Sequence, residues 1–144
     1  MRTLTTEAGI LLVDKPAGLS SAQVVGRLKK KHGCKRIGHA GTLDPMATGL
    51  LVCMVGAATR LASYAEAGSK IYAGTIDFGY VTDTDDIWGE VLNRSENLPI
   101  FSEVCEGAKK YCGQLWQVPP RISAVKVRGQ RAYQAARVGK PLKL

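Results

Sequence analysis

Fourteen residues, Gly38-His39-Ala40-Gly41-Thr42-Leu43-Asp44-Pro45-Met46-Ala47-Thr48-Gly49-Leu50-Leu51, set one carboxylate and one imidazole in a glycine-rich loop that runs into an apolar stretch. Such a loop lets another backbone approach closely. Its aspartate has the chemistry of a nucleophile or a general base. On residue type alone, Asp44 before Pro45 is the pattern of a turn or a cap. A lone His39 is, in the same way, the pattern of a hydrogen-bonded structural histidine. Spacing therefore offers a reactive carboxylate without requiring one.

Other chemistries are poorly served. Cys34, Cys53, Cys105 and Cys112 form no C-x-x-C pair, so metal and disulfide readings start low and packed or idle thiols are expected. The acidic stretch Thr82 to Gly89 fails as a calcium loop, because counting from Asp83 puts Trp88 where glycine is needed and Arg94 where glutamate is needed. Neither G-x-x-x-x-G-K-[ST] nor G-x-G-x-x-G occurs, which disfavours a phosphate-binding nucleotide enzyme.

The net charge of +8 and pI near 9.5 favour a polyanionic partner, and the distribution strengthens that reading. Arg27, Lys29, Lys30, Lys31, Lys35 and Arg36 crowd into ten residues, and after Glu106 come nine Lys or Arg and no acid. Eight of the twelve acids lie between Asp77 and Glu106. Basic flanks around an acidic middle suit a fold with one phosphate-facing side, although a basic run on a helix can also be a solvated face.

The elements that must position the loop follow from apolar period and punctuation. Gly9 to Val13 reads as a strand stopped by the Asp14-Lys15-Pro16-Ala17-Gly18 turn. Ser20 or Ser21 caps a helix with Val24, Val25 and Leu28 on its apolar face, lysines in its last turn and Gly33 at its end. Cys34 to Ala47 has no period and reads as a loop; Thr48 to Val55 reads as a buried strand. A helix opens at Gly56 or the next residue and closes at Gly68, and the alternation of Lys70 to Phe78 predicts a strand.

Phe101, Val104, Cys105, Ala108 and Tyr111 predict an amphipathic helix opened by Pro99 and ended near Gly113. Leu115 to Val118 and Ile122 to Val127 read as short strands, and Ala132 to Arg137 as a brief helix. Strands and helices mix without strict βαβ alternation, so the fold class is α+β. At 144 residues, with no internal repeat or linker, the chain is one domain's worth of polypeptide. Its longest apolar stretch, Thr48 to Ala58, is too short to span a bilayer, and no secretory signal opens the chain, so a cytoplasmic protein is expected.

The G-H-A-G-T-L-D-P-x-A-T-G-L-L text closely resembles the signature of the TruB-type pseudouridine synthases. Lys15-Pro16-Ala17-Gly18 matches that family's K-P-x-G turn, Lys70-Ile71-Tyr72 its K-x-Y block, and Gly79 to Asp85 the first seven positions of its G-x-x-T-D-T-x-D block. Pro119 to Ala136 resembles its P-P-x-x-S-A-x-K-x-x-G-x-R-A-Y segment, and the blocks stand in family order. Phe78 stands where leucine is usual, a change that conserves bulk.

The resemblance implies a mainly antiparallel sheet flanked by helices, and isomerisation of a uridine to pseudouridine in the T arm of tRNA, at position 55. It makes Asp44 the catalytic carboxylate and places Tyr72, His39 and Lys15 on the substrate side. Tyr72 would stack on the target base and serve in proton transfer, His39 would fill space near flipped nucleotides, and Lys15 would support the loop. It also implies that residues 1–144 are the N-terminal portion of the catalytic domain. Family members continue into further strands, including one whose arginine pairs with the catalytic aspartate, and usually into an RNA-binding domain.

The implied chemistry is physically coherent. A base that is detached, turned and rejoined through C5 must leave the RNA stack. An ionised aspartate can attack the sugar carbon or deprotonate the neighbouring sugar C–H. An aromatic face such as Tyr72 offers about 1–3 kcal/mol of stacking to the flipped base. The reaction is redox-neutral, so no metal or organic cofactor is expected, and tRNA is the expected partner with no obligatory protein partner and no membrane. Two rivals stand beside this reading: an RNA-guided synthase of the dyskerin class, which shares the aspartate loop, and a catalytically inactive RNA-binding fragment.

Overall fold

Alternating burial along Gly9–Lys15 forms β1, in which Leu11 and Val13 turn inward while Ile10 and Leu12 stay exposed. The strand outruns the expected Gly9 to Val13 by two residues, because pairing with a neighbour continues to Lys15. The computed structural model describes residues 8–120, 123 and 125–137, and the chain divides into two units, Met1–Tyr72 and Ala73–Leu144. The class is α+β: antiparallel ladders combined with separate helices.

In the first unit, α1 (Ser21–His32) follows the turn after β1. Ser20 is its N-cap: the hydroxyl accepts the Gln23 N–H at 3.2 Å, and the Gln23 side chain accepts the Ser20 N–H at 2.8 Å, a reciprocal capping box. Gly33, in the left-handed region at φ 64°, ends the helix as expected. The stretch expected to be a loop, Cys34 to Ala47, instead contains β2 (Ile37–Ala40). Gly38 and Ala40 carry almost no hydrophobic signal, so the strand becomes visible only through its partner, β3 (Gly49–Val55).

The sheet order is β1-β3-β2, antiparallel throughout, with β3 central. Leu51, Cys53 and Val55 of β3 meet Ile37 of β2 and Val24 and Val25 of α1 in the core, with Leu11, Val13, Leu19, Leu28 and Leu43 packed around them. The expected helix after Gly56 is split into a 3-10 segment, Gly56–Leu61, and α2 (Ala62–Glu66).

The strand expected over Lys70 to Phe78 does not form. Those residues carry no regular secondary structure and have no ladder partner among the described residues, with Ile71 98% and Ile76 79% exposed. Alternation supplies a face but not the neighbouring strand that a β ladder requires.

In the second unit, β4 (Tyr80–Thr82) pairs antiparallel with β5 (Val91–Arg94), with an irregularity between Val81 and Thr82. α3 (Phe101–Lys109) follows, its first turn closed by the Glu103 carboxylate accepting the Ile100 N–H at 2.9 Å. It is shorter than expected and leaves Phe101 and Tyr111 exposed. Leu115 to Val118 is not a strand. Part of the expected strand Ile122 to Val127 lies outside the described residues, and its end forms β6 (Lys126–Val127).

β6 pairs with β7 (Gln130–Arg131) across Arg128 and Gly129, both at positive φ as a two-residue hairpin of type I′ requires. α4 (Ala132–Arg137) closes the described chain. Among the described residues no helix is long and apolar enough to cross a membrane.

Candidate functional site

Residues 41–48 are the connection between β2 and β3, so the glycine-rich stretch is a long hairpin loop at one end of the sheet. β1 ends at the same place, where Lys15 pairs with Gly49, and Ser21 at the start of α1 reaches the loop as well. The loop is thus bordered by the ends of three strands and the start of a helix.

Both residues flanking Asp44 are fixed by these elements. On one side the Ser21 hydroxyl accepts the Leu43 N–H at 3.0 Å and donates to the Leu43 carbonyl at 3.1 Å. On the other side the Pro45 carbonyl accepts the Gly18 N–H at 2.7 Å and the Lys15 ammonium at 3.2 Å. Gly18 can present that N–H because it occupies φ 85°, a conformation glycine adopts without a Cβ penalty.

Lys15 is fully buried, and its three donors are matched by three carbonyls: Leu19 at 2.7 Å, Pro16 at 2.9 Å and Pro45. Its charge is spent inside the loop scaffold.

Between these anchors, Asp44 is exposed. Its carbonyl accepts the Ala47 N–H at 3.1 Å, so Asp44 to Ala47 is a β-turn with proline in the second position, the place its fixed φ suits. No described residue hydrogen-bonds or ion-pairs with the Asp44 carboxylate. The backbone is held on both sides while the carboxylate is left open to solvent.

His39 lies on β2 opposite Cys53, half-buried, with Nδ1 2.6 Å from the Gly41 carbonyl. Since a carbonyl can only accept, Nδ1 carries a proton and donates it; in the neutral ring Nε2 is then left as an acceptor. Tyr72 is 71% exposed in the irregular segment at the end of the first unit, and no described contact ties its ring to the loop. Its segment nevertheless passes the loop. Lys70 Cε would lie 3.7 Å from a Cβ placed on Gly41, and the Lys70 ammonium donates to the carbonyls of Glu66 and, at 3.1 Å, Gly68.

A family model described as TruB family pseudouridylate synthase (N terminal domain) matches residues 29–144 of this chain.

The chain belongs to the TruB family.

Curated relatives agree. A tRNA pseudouridine synthase B of Thermobifida fusca is 51% identical over 137 residues, 94% of this chain and 47% of the relative. That of Leifsonia xyli is 47% identical over 95% of this chain, and that of Anaplasma marginale 46% identical over 100% of this chain; each match again covers 47% of the relative. The chain spans about half the length of these curated relatives.

Two residues that hold the TruB-type loop, Ser21 and Gly18, were read from the sequence only as a helix cap and as part of a turn, not as supports of the site. Ser21 was legible only as a helix cap, and nothing local marks a hydroxyl that reaches 22 residues along the chain.

Two carboxylates of the acidic block in the second unit, Asp83 and Asp86, are engaged in its own turn. The Asp83 carboxylate accepts the Glu90 N–H at 2.8 Å, and one oxygen of Asp86 accepts the Trp88 N–H at 2.9 Å and the Thr84 hydroxyl at 2.7 Å. Thr82 donates to the Asp86 carbonyl at 2.8 Å. Among the described residues no group of three or more His, Cys, Asp or Glu side chains is arranged to hold a metal.

Proposed function

We propose that this protein isomerises uridine to pseudouridine in the T arm of tRNA, with Asp44 as the catalytic carboxylate. One observation carries the reading. The single carboxylate of the family's signature loop is solvent-exposed and unpartnered among the described residues, while the backbone on both sides of it is held by Ser21, Lys15 and Gly18. A surface aspartate serving only as a turn residue needs no such scaffold. Membership of the TruB family and the curated relatives, each named tRNA pseudouridine synthase B, support the substrate class.

The target base must be flipped out of the RNA before its glycosidic bond can be reached. In the reaction the bond from the sugar C1′ to N1 breaks, the base turns, and a bond from C1′ to C5 forms. The proton on C5 leaves and N1 gains one, so substrate and product are isomers. Asp44 either attacks C1′ and is displaced when the base returns, or takes the proton from the neighbouring sugar carbon and gives it back. Tyr72, exposed two residues after the lysine that passes Gly41, provides a ring face on which the flipped base stacks. His39 borders the loop with Nε2 as its remaining polar atom, and Lys15 acts from within the scaffold.

The six cations between Arg27 and Arg36 are exposed and form no ion pair among the described residues, which suits them to phosphate. The deciding experiment is pseudouridine formation in a T-arm RNA by the protein and by its Asp44→Asn variant. Formation by the parent and none by the variant supports the reading; formation only when a guide RNA is added moves the protein to the RNA-guided class.

A further inference from the structure

We propose that Ser21 is a positioning residue for the Asp44 carboxylate, its hydroxyl latching both backbone groups of Leu43 and so setting the peptide plane that enters Asp44. The inference rests on the reading of Asp44 given above. Ser21 is 1% exposed, and its hydroxyl both donates to and accepts from a single residue 22 positions away. Helix capping does not explain this, because the cap of α1 is already supplied by Ser20 and Gln23.

The two adjacent serines therefore hold separate tasks. Ser20 serves the helix, whereas Ser21 uses the rigid start of that helix as a platform for the loop.

The geometry determines what the latch controls. The Leu43 carbonyl belongs to the peptide unit whose nitrogen is that of Asp44, so the bond at 3.1 Å limits rotation before the aspartate. After it, the Asp44 carbonyl is tied to Ala47 and the Pro45 carbonyl to Gly18 and Lys15. With the backbone held on both sides, only the two side-chain torsions of Asp44 remain, and the carboxylate occupies a small volume before substrate arrives. Removal of the hydroxyl frees the Leu43 peptide while leaving the carboxylate, the RNA-binding side chains and the helix cap intact.

The test compares Ser21→Ala and Ser20→Ala with the parent, reading RNA dissociation constant, single-turnover rate at saturating T-arm RNA, and thermal unfolding midpoint. Ser21→Ala is expected to bind RNA within about two-fold of the parent and to lose about 10- to 100-fold in single-turnover rate, the scale on which a misplaced reacting group costs rate. Ser20→Ala is expected to lower the unfolding midpoint and keep the rate. A Ser21→Ala protein that turns over at the parent rate overturns the proposal, as does a Ser20→Ala protein that loses as much rate as Ser21→Ala. A Ser21→Ala chain that fails to fold also overturns it, since the hydroxyl would then be holding the fold and not the carboxylate. Failure of the underlying reading shows separately, as pseudouridine formation that persists in Asp44→Asn.

Discussion

The buried ammonium of Lys15 donates to the carbonyl of Pro45 at 3.2 Å, joining the end of β1 to the residue that follows the candidate catalytic aspartate. An ammonium taken out of water is tolerated when each of its protons has an acceptor, and here the carbonyls of Pro16 and Leu19 complete the set.

Lys15→Met should therefore leave the Pro16 and Leu19 carbonyls without their donor and the Pro45 carbonyl with the Gly18 N–H alone. A loss of about 2–4 kcal/mol in unfolding free energy is expected, on the scale of unsatisfied buried polar groups. Urea denaturation measures it; a change within experimental error would show that water replaces the ammonium at no cost.

Asp44→Asn keeps the side chain's size and removes its charge, and no described residue depends on the carboxylate. The variant is expected to fold with an unchanged urea midpoint, to bind T-arm RNA within about three-fold of the parent, and to form no pseudouridine. Turnover near the parent rate would remove Asp44 from the mechanism.

The solvent face of α1 carries Arg27, Lys29, Lys30 and Lys31 with no acid anywhere in the helix. Arg27 meets Lys30 and Lys31 at helical spacings of three and four, where like charges repel, so this arrangement costs the isolated fold something. If these side chains neutralise phosphates, Lys30→Glu/Lys31→Glu should weaken RNA binding at least ten-fold at low salt. The slope of log affinity against log salt should fall by roughly 1–2, since each phosphate contact contributes ~0.9. An unchanged slope would assign this face to solvent.

Gly89 closes the acidic turn between β4 and β5, and a Cβ there would meet Asp83 Oδ1 at 2.6 Å and Thr82 Cβ at 2.8 Å, besides the Thr84 hydroxyl. Gly89→Ala must displace the side chains that hold the turn. Destabilisation of about 1–3 kcal/mol is expected, as for overpacking elsewhere, read by chemical denaturation of the second unit. A variant as stable as the parent would show that the turn yields easily.

Burial pushes the Cys53 thiol up, away from thiolate, while Cys112 is exposed. At neutral pH a thiol reagent should label Cys112 within minutes and Cys53 only after denaturant is added, because the thiolate is the reactive species. Peptide mapping by mass spectrometry distinguishes the two sites, and early labelling of Cys53 would contradict its place in the core.

The amino-acid sequence by itself determined the parts of this protein that depend on local rules or on long literal text. The apolar period of Val24, Val25 and Leu28 with Gly33 beyond them specified α1, and the run before Gly56 specified β3, because burial patterns and left-handed caps are properties of neighbouring residues. The signature around Asp44 identified the family and the candidate carboxylate, where the residue types alone supported only a turn. That turn exists, and the two readings are compatible because proline after aspartate sets the backbone while the side chain stays outside it.

Tertiary structure decided whatever depended on a partner distant in sequence. β2 was hidden because Gly38 and Ala40 give no apolar signal, and it is a strand through pairing with Val52 and Met54. Lys70 to Phe78 alternates like a strand and is not one, since alternation cannot provide the ladder neighbour. The division of labour between Ser20 and Ser21 was likewise undetermined: both are acceptable caps, and only the loop folding back from β2 gives the second hydroxyl the backbone of Leu43 to hold.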